Sequence, residues 1–249
     1  MSIKEFYVTL PSNSSMNYFR DNSAAKFTTK LLQPIELDDE SWVVGLVEII
    51  FPMSFFNVQK GRNSMLYTQK DNAVMEELKL NPGHYQSMDH LLQYVNAVSG
   101  FRESITLSYN AITGHVISKV APDRKLFLGP GIADILGYKS GESEIKEGRH
   151  MSPYNAKLFN EIPQQLYIYM DLLVPQIIGD TCAPLLRIVG IEDVTTFGKV
   201  IVKTYDNPHY VPLLKRRFES IEIELRDAQG KLAPFQYGPT TIKLHFIKR

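Results

Sequence analysis

The sequence is poor in the residues that build disulfide frameworks and thiolate metal sites. Cys182 is the only cysteine in 249 residues. A single cysteine excludes an intramolecular disulfide framework and a zinc site held by several thiolates, and it suits a reducing compartment. An excess of positive charge is also missing, because Lys plus Arg and Asp plus Glu both number 27. This balance argues against a polybasic protein that binds nucleic acid by neutralising many phosphates.

Long apolar stretches are absent as well. No segment approaches the roughly 18 consecutive apolar residues that a membrane-spanning helix needs. The opening residues include Lys4 and Glu5, without an apolar core of signal-peptide length. The sequence therefore predicts a soluble protein that is made in the cytosol.

Alternating apolar and polar residues recur in the first and last parts of the chain. This period of two is typical of half-buried antiparallel strands. The clearest runs place the following residues on one face: Leu166, Ile168, Met170 and Leu172; Ile221, Ile223 and Leu225; Ile242, Leu244 and Phe246. The segment 42–51 is apolar on both faces apart from Gly45 and Glu48, which predicts a central strand that ends at Pro52.

The middle of the chain predicts a mixed α/β segment. Apolar residues over 88–98 follow helical spacing after Ser87, a candidate N-cap, and Gly100 is the predicted end of this helix. A hairpin, a short helix and a mobile loop without periodicity are predicted over 105–120, 130–137 and 139–154.

Together these patterns favour an all-β fold with a mixed α/β insertion. About eight strand-like runs with long connections fit a two-sheet antiparallel sandwich or jelly roll better than a regular barrel. The predicted organisation is an N-terminal arm with the first jelly-roll strands over 1–59, the inserted segment over 60–150 and the remaining jelly-roll strands over 151–249. Within the arm, the polar segment 11–22 is expected to become ordered only on assembly.

Residues suited to metal or nucleophile chemistry are scattered. The six histidines are His84, His90, His115, His150, His209 and His245. None forms the His-x-His pair of a metal-binding jelly roll, so no metal ligand is predicted. Cys182 lies in no nucleophile motif and is predicted to be a small buried apolar residue. Gly129-Pro130-Gly131 lacks the Lys-Ser/Thr of a phosphate-binding loop and is predicted to start a helix.

Acidic and basic clusters each have a structural interpretation and a functional alternative. The acidic residues 38–40 predict a solvated turn, and Glu222 with Glu224 predicts the wet face of a strand. Any such pair of carboxylates is also a candidate for glycoside hydrolysis across a cleft. The basic run 215–217 is predicted to be a solubilising strand edge, with contact to nucleic acid as the alternative.

No residue is assigned a catalytic, cofactor-binding or metal-binding role, and the chain is predicted not to be an enzyme. Five tyrosines lie in or beside predicted strands, several on the outward face: Tyr167, Tyr169, Tyr205, Tyr210 and Tyr237. Aromatic side chains outside a core are favoured at protein contacts, so they predict an interaction protein. A jelly-roll module that binds a carbohydrate or a receptor, and a β-sandwich hydrolase, remain as alternatives.

Six stretches, in order along the chain, carry a resemblance to a known family. They are FYVTLPSNSSMNYF (6–19), KFTTKLLQPIELDDESWVVGLVEIIFP (26–52), GHYQSMDHLLQYVN (83–96), ADILGY (133–138), LYIYMDLLVPQIIGDTCAPLLRIV (166–189) and TYDNPHYVPLLKRRFESIEIELRDAQGKLAPF (204–235). Over nearly its full length, the chain resembles the minor capsid, or penton, proteins of Polinton/Maverick elements and the related adintoviruses.

The resemblance implies a single jelly roll that occupies the fivefold vertices of an icosahedral capsid as a homo-pentamer. It also implies a neighbouring major capsid protein with a double jelly roll, and a location in the virion after synthesis in the host cytosol. No cofactor is implied, and a weak contact with packaged DNA stays open. The motifs of the family are packing patterns, so no individual contact residue is assigned from them.

Overall fold

The computed structural model of the chain describes residues 4–38, 41–68, 75–139 and 144–249. Numbered along the chain, its strands are β1 (Glu5–Pro11), β2 (Lys26–Glu36), β3 (Trp42–Pro52), β4 (Ser64–Thr68), β5 (Met75–Lys79), β6 (Ile105–Asn110), β7 (His115–Val120), β8 (Leu126–Leu128), β9 (Glu144–Ile145), β10 (Gly148–Met151), β11 (Gln165–Met170), β12 (Gln176–Ile178), β13 (Thr181–Ala183), β14 (Leu185–Gly190), β15 (Val200–Thr204), β16 (Val211–Pro212), β17 (Arg217–Arg226) and β18 (Thr241–Lys248). The helices are α1 (Met88–Asn96), α2 (Ser99–Ser104) and α3 (Pro130–Leu136).

The chain divides into two compact units. The first combines Met1–Ser54 with Pro163–Arg249, and the second is Phe55–Ile162. The second unit is therefore inserted in the sequence between β3 and β11 of the first. The division at 60 and 150 that the sequence suggests stays a prediction.

The first unit contains two antiparallel sheets. One has the order β1-β18-β3-β15, with the short β16 also paired to β3, and the other has the order β14-β11-β17-β2. The strands pair from the outside of the sequence inwards: β1 with β18, β2 with β17, β3 with β15 and β11 with β14. This nested pairing is the strand order of a jelly roll. The predicted β-rich antiparallel fold is confirmed.

Aromatic side chains join the two sheets of the first unit. The Phe246 ring stacks on Phe6 in its own sheet, with centroids 4.8 Å apart, and on Phe218 in the opposite sheet, with centroids 5.9 Å apart. Phe246 is fully buried. The predicted central strand β3 is also buried along most of its length and ends at Pro52. The core of the jelly roll therefore follows the apolar faces that alternation predicts.

The segment 11–22 is ordered, which contradicts the expectation of an arm that folds only on assembly. The Asn22 amide donates to the carbonyl oxygens of Ser14 and Thr28, and its Oδ1 accepts from the Thr28 N–H at 2.8 Å. Ser12 exchanges two hydrogen bonds with Thr240 at 2.7 and 2.9 Å. The polar residues that predict flexibility here stabilise turns instead, because short polar side chains readily form hydrogen bonds with nearby backbone N–H and C=O groups.

The helical part of the second unit follows the sequence closely, with one difference. Ser87 caps α1 by accepting the His90 N–H at 3.1 Å, and Pro130 begins α3. The predicted helix end at Gly100 is wrong, because Gly100 lies inside α2. The fully buried Phe101 places this short helix against the core of the unit, so burial outweighs the low helix propensity of glycine.

The predicted mobile loop over 139–154 is also wrong where the structure describes it. Its two short strands, β9 and β10, pair with β8 and β7. Ser152 is buried, and its Oγ accepts the Val116 N–H at 3.1 Å. Residues 140–143 lie outside the described part of the chain. Backbone pairing with distant strands, which periodicity does not reveal, orders this segment.

Two tyrosine hydroxyls in the second unit lie in contrasting environments. Tyr138 Oη is buried without a hydrogen bond of normal geometry to any described residue, whereas Tyr85 Oη donates to the Asn81 carbonyl at 2.9 Å. Burial raises the pKa of both phenols. We expect Tyr138→Phe to raise the free energy of unfolding by about 1 kcal/mol and Tyr85→Phe to lower it by about the same amount. Urea denaturation checks both variants, and equal effects of one sign would contradict the assignment.

Candidate functional site

The histidines, Cys182 and the described acidic residues, which are the candidates for metal or thiol chemistry, do not form a common site. In residues 4–38, 41–68, 75–139 and 144–249, no three His, Cys, Asp or Glu side chains are placed to hold a metal ion. Cys182 is exposed, which contradicts its predicted burial. It lies in β13, and the β12–β13 hairpin forms a two-stranded sheet of its own. No described helix is long and apolar enough to cross a membrane.

One histidine, His245, lies in a hydrogen-bonded network on the outer face of the β1-β18-β3-β15 sheet. Its Nδ1 lies 2.8 Å from Tyr210 Oη, and its Nε2 lies 3.1 Å from Glu5 Oε2. The Tyr7 ring stacks on the imidazole, with centroids 4.4 Å apart. The surrounding depression has a volume of about 430 Å³. Its wall includes Val47, Glu48, Thr204, Tyr205, Asp206, Pro208 and Lys243.

This network lacks the nucleophile that a catalytic histidine would activate. Both ring nitrogens are taken, one by a phenol and one by a carboxylate, and no described Ser or Cys donates to the imidazole. Burial, together with neighbouring Tyr7 and Glu5, raises the pKa of Tyr210. The phenol therefore stays protonated at neutral pH and forms a hydrogen bond with His245 Nδ1.

The network instead holds the connection between β15 and β16 against the sheet. A Cβ atom on Gly45 would lie 2.8 Å from Pro208 Cβ and 3.1 Å from the Tyr210 ring, so the connection packs directly on the glycine backbone. Local sequence patterns do not reveal this network, because Glu5 and His245 are 240 positions apart. The alternation of β18 places His245 opposite Tyr7 only once the pairing of β1 with β18 is known.

The carboxylates Glu222 and Glu224 lie on the outer face of the other sheet, as predicted for the wet face of a strand. Lys26 Nζ lies 2.7 Å from Glu224 and 3.4 Å from Glu222, and Arg226 lies 2.6 Å from Glu224. Burial opposes ionisation of Glu224, but hydrogen bonds from Lys26 and Arg226 outweigh it and lower the pKa of this carboxyl. A general acid in glycoside hydrolysis needs a raised pKa. The arrangement around Glu224 therefore does not favour the hydrolase alternative.

The basic run 215–217 does not form the predicted strand edge. Strand β17, which begins at Arg217, lies between β11 and β2 inside its sheet. Lys215 pairs with Asp171 and Arg217 with Glu36, both at 3.2 Å. These ion pairs offset part of the positive charge that a nucleic-acid contact would use.

The acidic turn at 38–40 is described only at its first residue. Asp38 accepts the Trp42 indole N–H at 2.8 Å and pairs with Lys248 at 2.8 Å. Asp39 and Glu40 lie outside the described residues. Asp38 therefore braces the start of β3 as well as lying at the surface.

The five tyrosines that predict protein contacts differ in exposure. Tyr237 is exposed, whereas Tyr167, Tyr169, Tyr205 and Tyr210 are half-buried. The Arg187 guanidinium lies 3.5 Å from the centre of the Tyr205 ring, a cation–π contact between the edge of one sheet and the strand end of the other. Most of these rings therefore cover the jelly roll itself, and other residues dominate the exposed apolar surface.

Strands β14 and β15 are edge strands of the two sheets, and exposed apolar side chains lie on both of them and on the connection between them. We call this surface the β14/β15 flank and define it by Ile188, Phe197, Val200 and Val202, all exposed. The preceding connection is held by Asp193, whose carboxylate accepts hydrogen bonds from Thr195 and Thr196. These bonds lower the pKa of Asp193 to about 2. These hydrogen bonds hold the connection before β15 in a defined turn.

The opposite side carries a second apolar group, where β1 and β2 are the edge strands. We call it the β1/β2 flank and define it by Tyr7, Met16, Tyr18 and Leu32. Leu32 is fully exposed, in a bulge where the pairing of β2 with β17 jumps from Lys30 to Ile35. A bulge interrupts the regular backbone hydrogen-bonding groups of an edge strand. It therefore discourages pairing with strands of other molecules but leaves the side chains accessible. The two flanks are different surfaces, as a head-to-tail contact requires.

Comparisons with known proteins match the fold of this chain but not its sequence. No protein-family model and no curated protein matches the sequence. Among solved structures, a chain of the Sputnik virophage is similar over 99% of this chain and 98% of its own, with a TM-score of 0.48 and 11% identity. The mavirus penton protein is similar over 99% of this chain and 100% of its own, with a TM-score of 0.53 and 10% identity. This likeness shows the fold alone: the chain shares the jelly-roll fold of the mavirus penton protein.

Proposed function

We propose that this chain is a structural capsid protein that forms the pentameric vertices of an icosahedral virion, and that it is not an enzyme. The observation that carries the proposal is the pair of apolar flanks on opposite sides of the jelly roll. Exposed apolar groups of this kind mark interaction surfaces in soluble proteins. The fold shared with the mavirus penton protein supports the same assignment.

The two flanks fit a closed ring of identical copies. When the β14/β15 flank of one copy meets the β1/β2 flank of the next, each copy uses two different surfaces. Such a heterologous contact closes into a ring when its rotation suits the number of copies, and five copies match a fivefold vertex. Val202 on one flank and Leu32 on the other supply the apolar area.

The finer parts of the proposal come from the family resemblance of the sequence. We infer an origin in a Polinton/Maverick element or an adintovirus, and a double jelly-roll major capsid protein as the neighbour around each vertex. The segment between the third and fourth jelly-roll strands serves as an inserted domain. A weak contact with packaged DNA is compatible with the basic run at 215–217, although its paired charges limit the affinity.

Mass measurement tests the pentamer directly. Light scattering of the purified protein at rising concentration should detect a species of five 28.4 kDa chains, and negative-stain images should show fivefold rings. Co-expression with the major capsid protein should give shells with occupied vertices. A chain that stays monomeric in both experiments, while binding a carbohydrate or a receptor with defined affinity, would establish the binding-module alternative instead.

A further inference from the structure

A small hairpin at one end of the jelly roll exposes apolar side chains without cover. Among the described strands, β12 and β13 pair only with each other, and Ile177 lies opposite Cys182 in their register. Ile177 is 83% exposed, and Cys182 is exposed beside it. An isolated two-stranded hairpin is marginally stable in water and gains stability when it packs on another surface. The apolar side of this hairpin is therefore suited to docking.

The base of the hairpin is fixed even though its tip is uncovered. The Val174 N–H donates to the Pro212 carbonyl at 3.0 Å, and the Gln176 amide donates to the Leu185 carbonyl at 2.6 Å. Gly179 adopts φ +61° at the turn, a conformation that glycine tolerates well. The hairpin is thus held in a defined position, and less ordering entropy is lost when a partner binds it.

A pocket of about 560 Å³ lies at the same end of the jelly roll. Its apolar wall consists of Leu37, Trp42, Val43, Pro212 and Leu213, and its polar wall of Ser41, Arg216 and Arg249. No residue of the β12–β13 hairpin lines it.

Hairpin and pocket are complementary in chemistry. Asp180 is the only charged residue between Val174 and Ala183, and Arg249 lines the pocket. Ile177 supplies the apolar side chain that the pocket wall would cover. A partly desolvated carboxylate beside the Arg249 guanidinium would gain both orientation and charge-assisted hydrogen bonds.

We propose that the β12–β13 hairpin of each copy docks into the Trp42 pocket of the adjacent copy and so links neighbouring protomers in the ring. This inference rests on the proposed pentamer. Rotation about a symmetry axis keeps every atom at its own height along that axis. The hairpin of one copy and the pocket of the next must therefore lie at similar heights. The hairpin and the pocket lie at the same end of the sandwich, where β2 leads into β3 and β11 leads into β14. They therefore lie at similar heights when the strands run along the fivefold axis.

The single native cysteine provides the first test. We expect maleimide to react with Cys182 at the rate of an exposed thiol in a monomeric variant such as Val202→Asp, and about tenfold or more slowly in pentamers, because a covered thiol is inaccessible. Pentamers that react at the monomer rate would overturn the hairpin contact and leave the proposed function intact. Failure to form any pentamer would overturn both.

A charge exchange tests the partner surface. Asp180→Arg and Arg249→Glu should each weaken pentamer formation, with an apparent Kd raised at least about tenfold by like charges at the contact. The double variant should recover most of the wild-type affinity and the protection of Cys182. Ile112→Asp is the matched control, because Ile112 is 97% exposed and belongs to neither the hairpin nor the pocket wall. Equal weakening in the double variant would count against the proposed pairing.

Discussion

Replacing Phe246 with alanine should lower the free energy of unfolding of the jelly roll by about 3–5 kcal/mol, the cost of emptying a large buried aromatic site. The ring is fully buried between Phe6 and Phe218, so it contributes to the packing of both sheets. Stacked aromatic pairs add to the cost beyond the apolar area removed. A loss of this size is a large fraction of the stability of an ordinary domain.

Two controls separate this effect from a general response to losing an aromatic ring. Phe246→Leu keeps much of the volume and should cost about half as much or less. Phe197→Ala removes a ring that is 37% exposed and packs edge-on against Tyr237, so it should cost less, about 1–2 kcal/mol. Urea denaturation followed by circular dichroism measures all three. A cost for Phe246→Ala no greater than for Phe197→Ala would show that the two sheets are not joined through this ring.

Local patterns predict the elements of this fold well, because they depend on side-chain periodicity. Strand β17 buries Ile221, Ile223 and Leu225 as its alternation predicts, and Ser87 caps α1 as predicted. The run of apolar residues in β3 indicates a strand covered on both faces. These features follow from residues a few positions apart, where one geometry satisfies the pattern.

Features that depend on pairing between strands far apart in the chain cannot be predicted from local sequence patterns. The network of Glu5, Tyr210 and His245 exists only because β1 pairs with β18. Ser152 is ordered by a hydrogen bond to Val116, 36 residues away. In both cases, polar residues without local periodicity gain partners that no short window of sequence contains.

The exposure of candidate functional residues was the least predictable property. The sequence around Cys182 predicts a buried thiol, yet the thiol is exposed on a hairpin that pairs with no other described strand. The apolar flanks became visible only when β14, β15, β1 and β2 were identified as edge strands. Resemblance to a penton family predicted the fold and the tendency to assemble, but not which residues lie at the sheet edges.

Acidic substitutions on the two flanks should abolish ring formation without unfolding the chain. Val202 is 54% exposed and Leu32 is fully exposed, so Val202→Asp and Leu32→Asp should leave monomer stability within about 0.5 kcal/mol of wild type. At an interface, each buried carboxylate would cost about 2 kcal/mol or more, which raises the Kd of that contact about 30-fold or more. Light scattering should then detect monomers at concentrations where the wild type and the Ile112→Asp control form pentamers.

Mixing the two variants distinguishes a head-to-tail ring from a symmetric contact. The Val202→Asp chain keeps an intact β1/β2 flank, and the Leu32→Asp chain keeps an intact β14/β15 flank, so one productive contact remains between them. The mixture should form heterodimers and stop there, since both outward flanks of the dimer carry an aspartate. If each flank bound its own kind, the two variants would instead form separate homodimers through their intact flanks. A species with the mass of two chains should therefore form only when both variants are present. This result would establish that unlike flanks bind each other, as a fivefold ring requires.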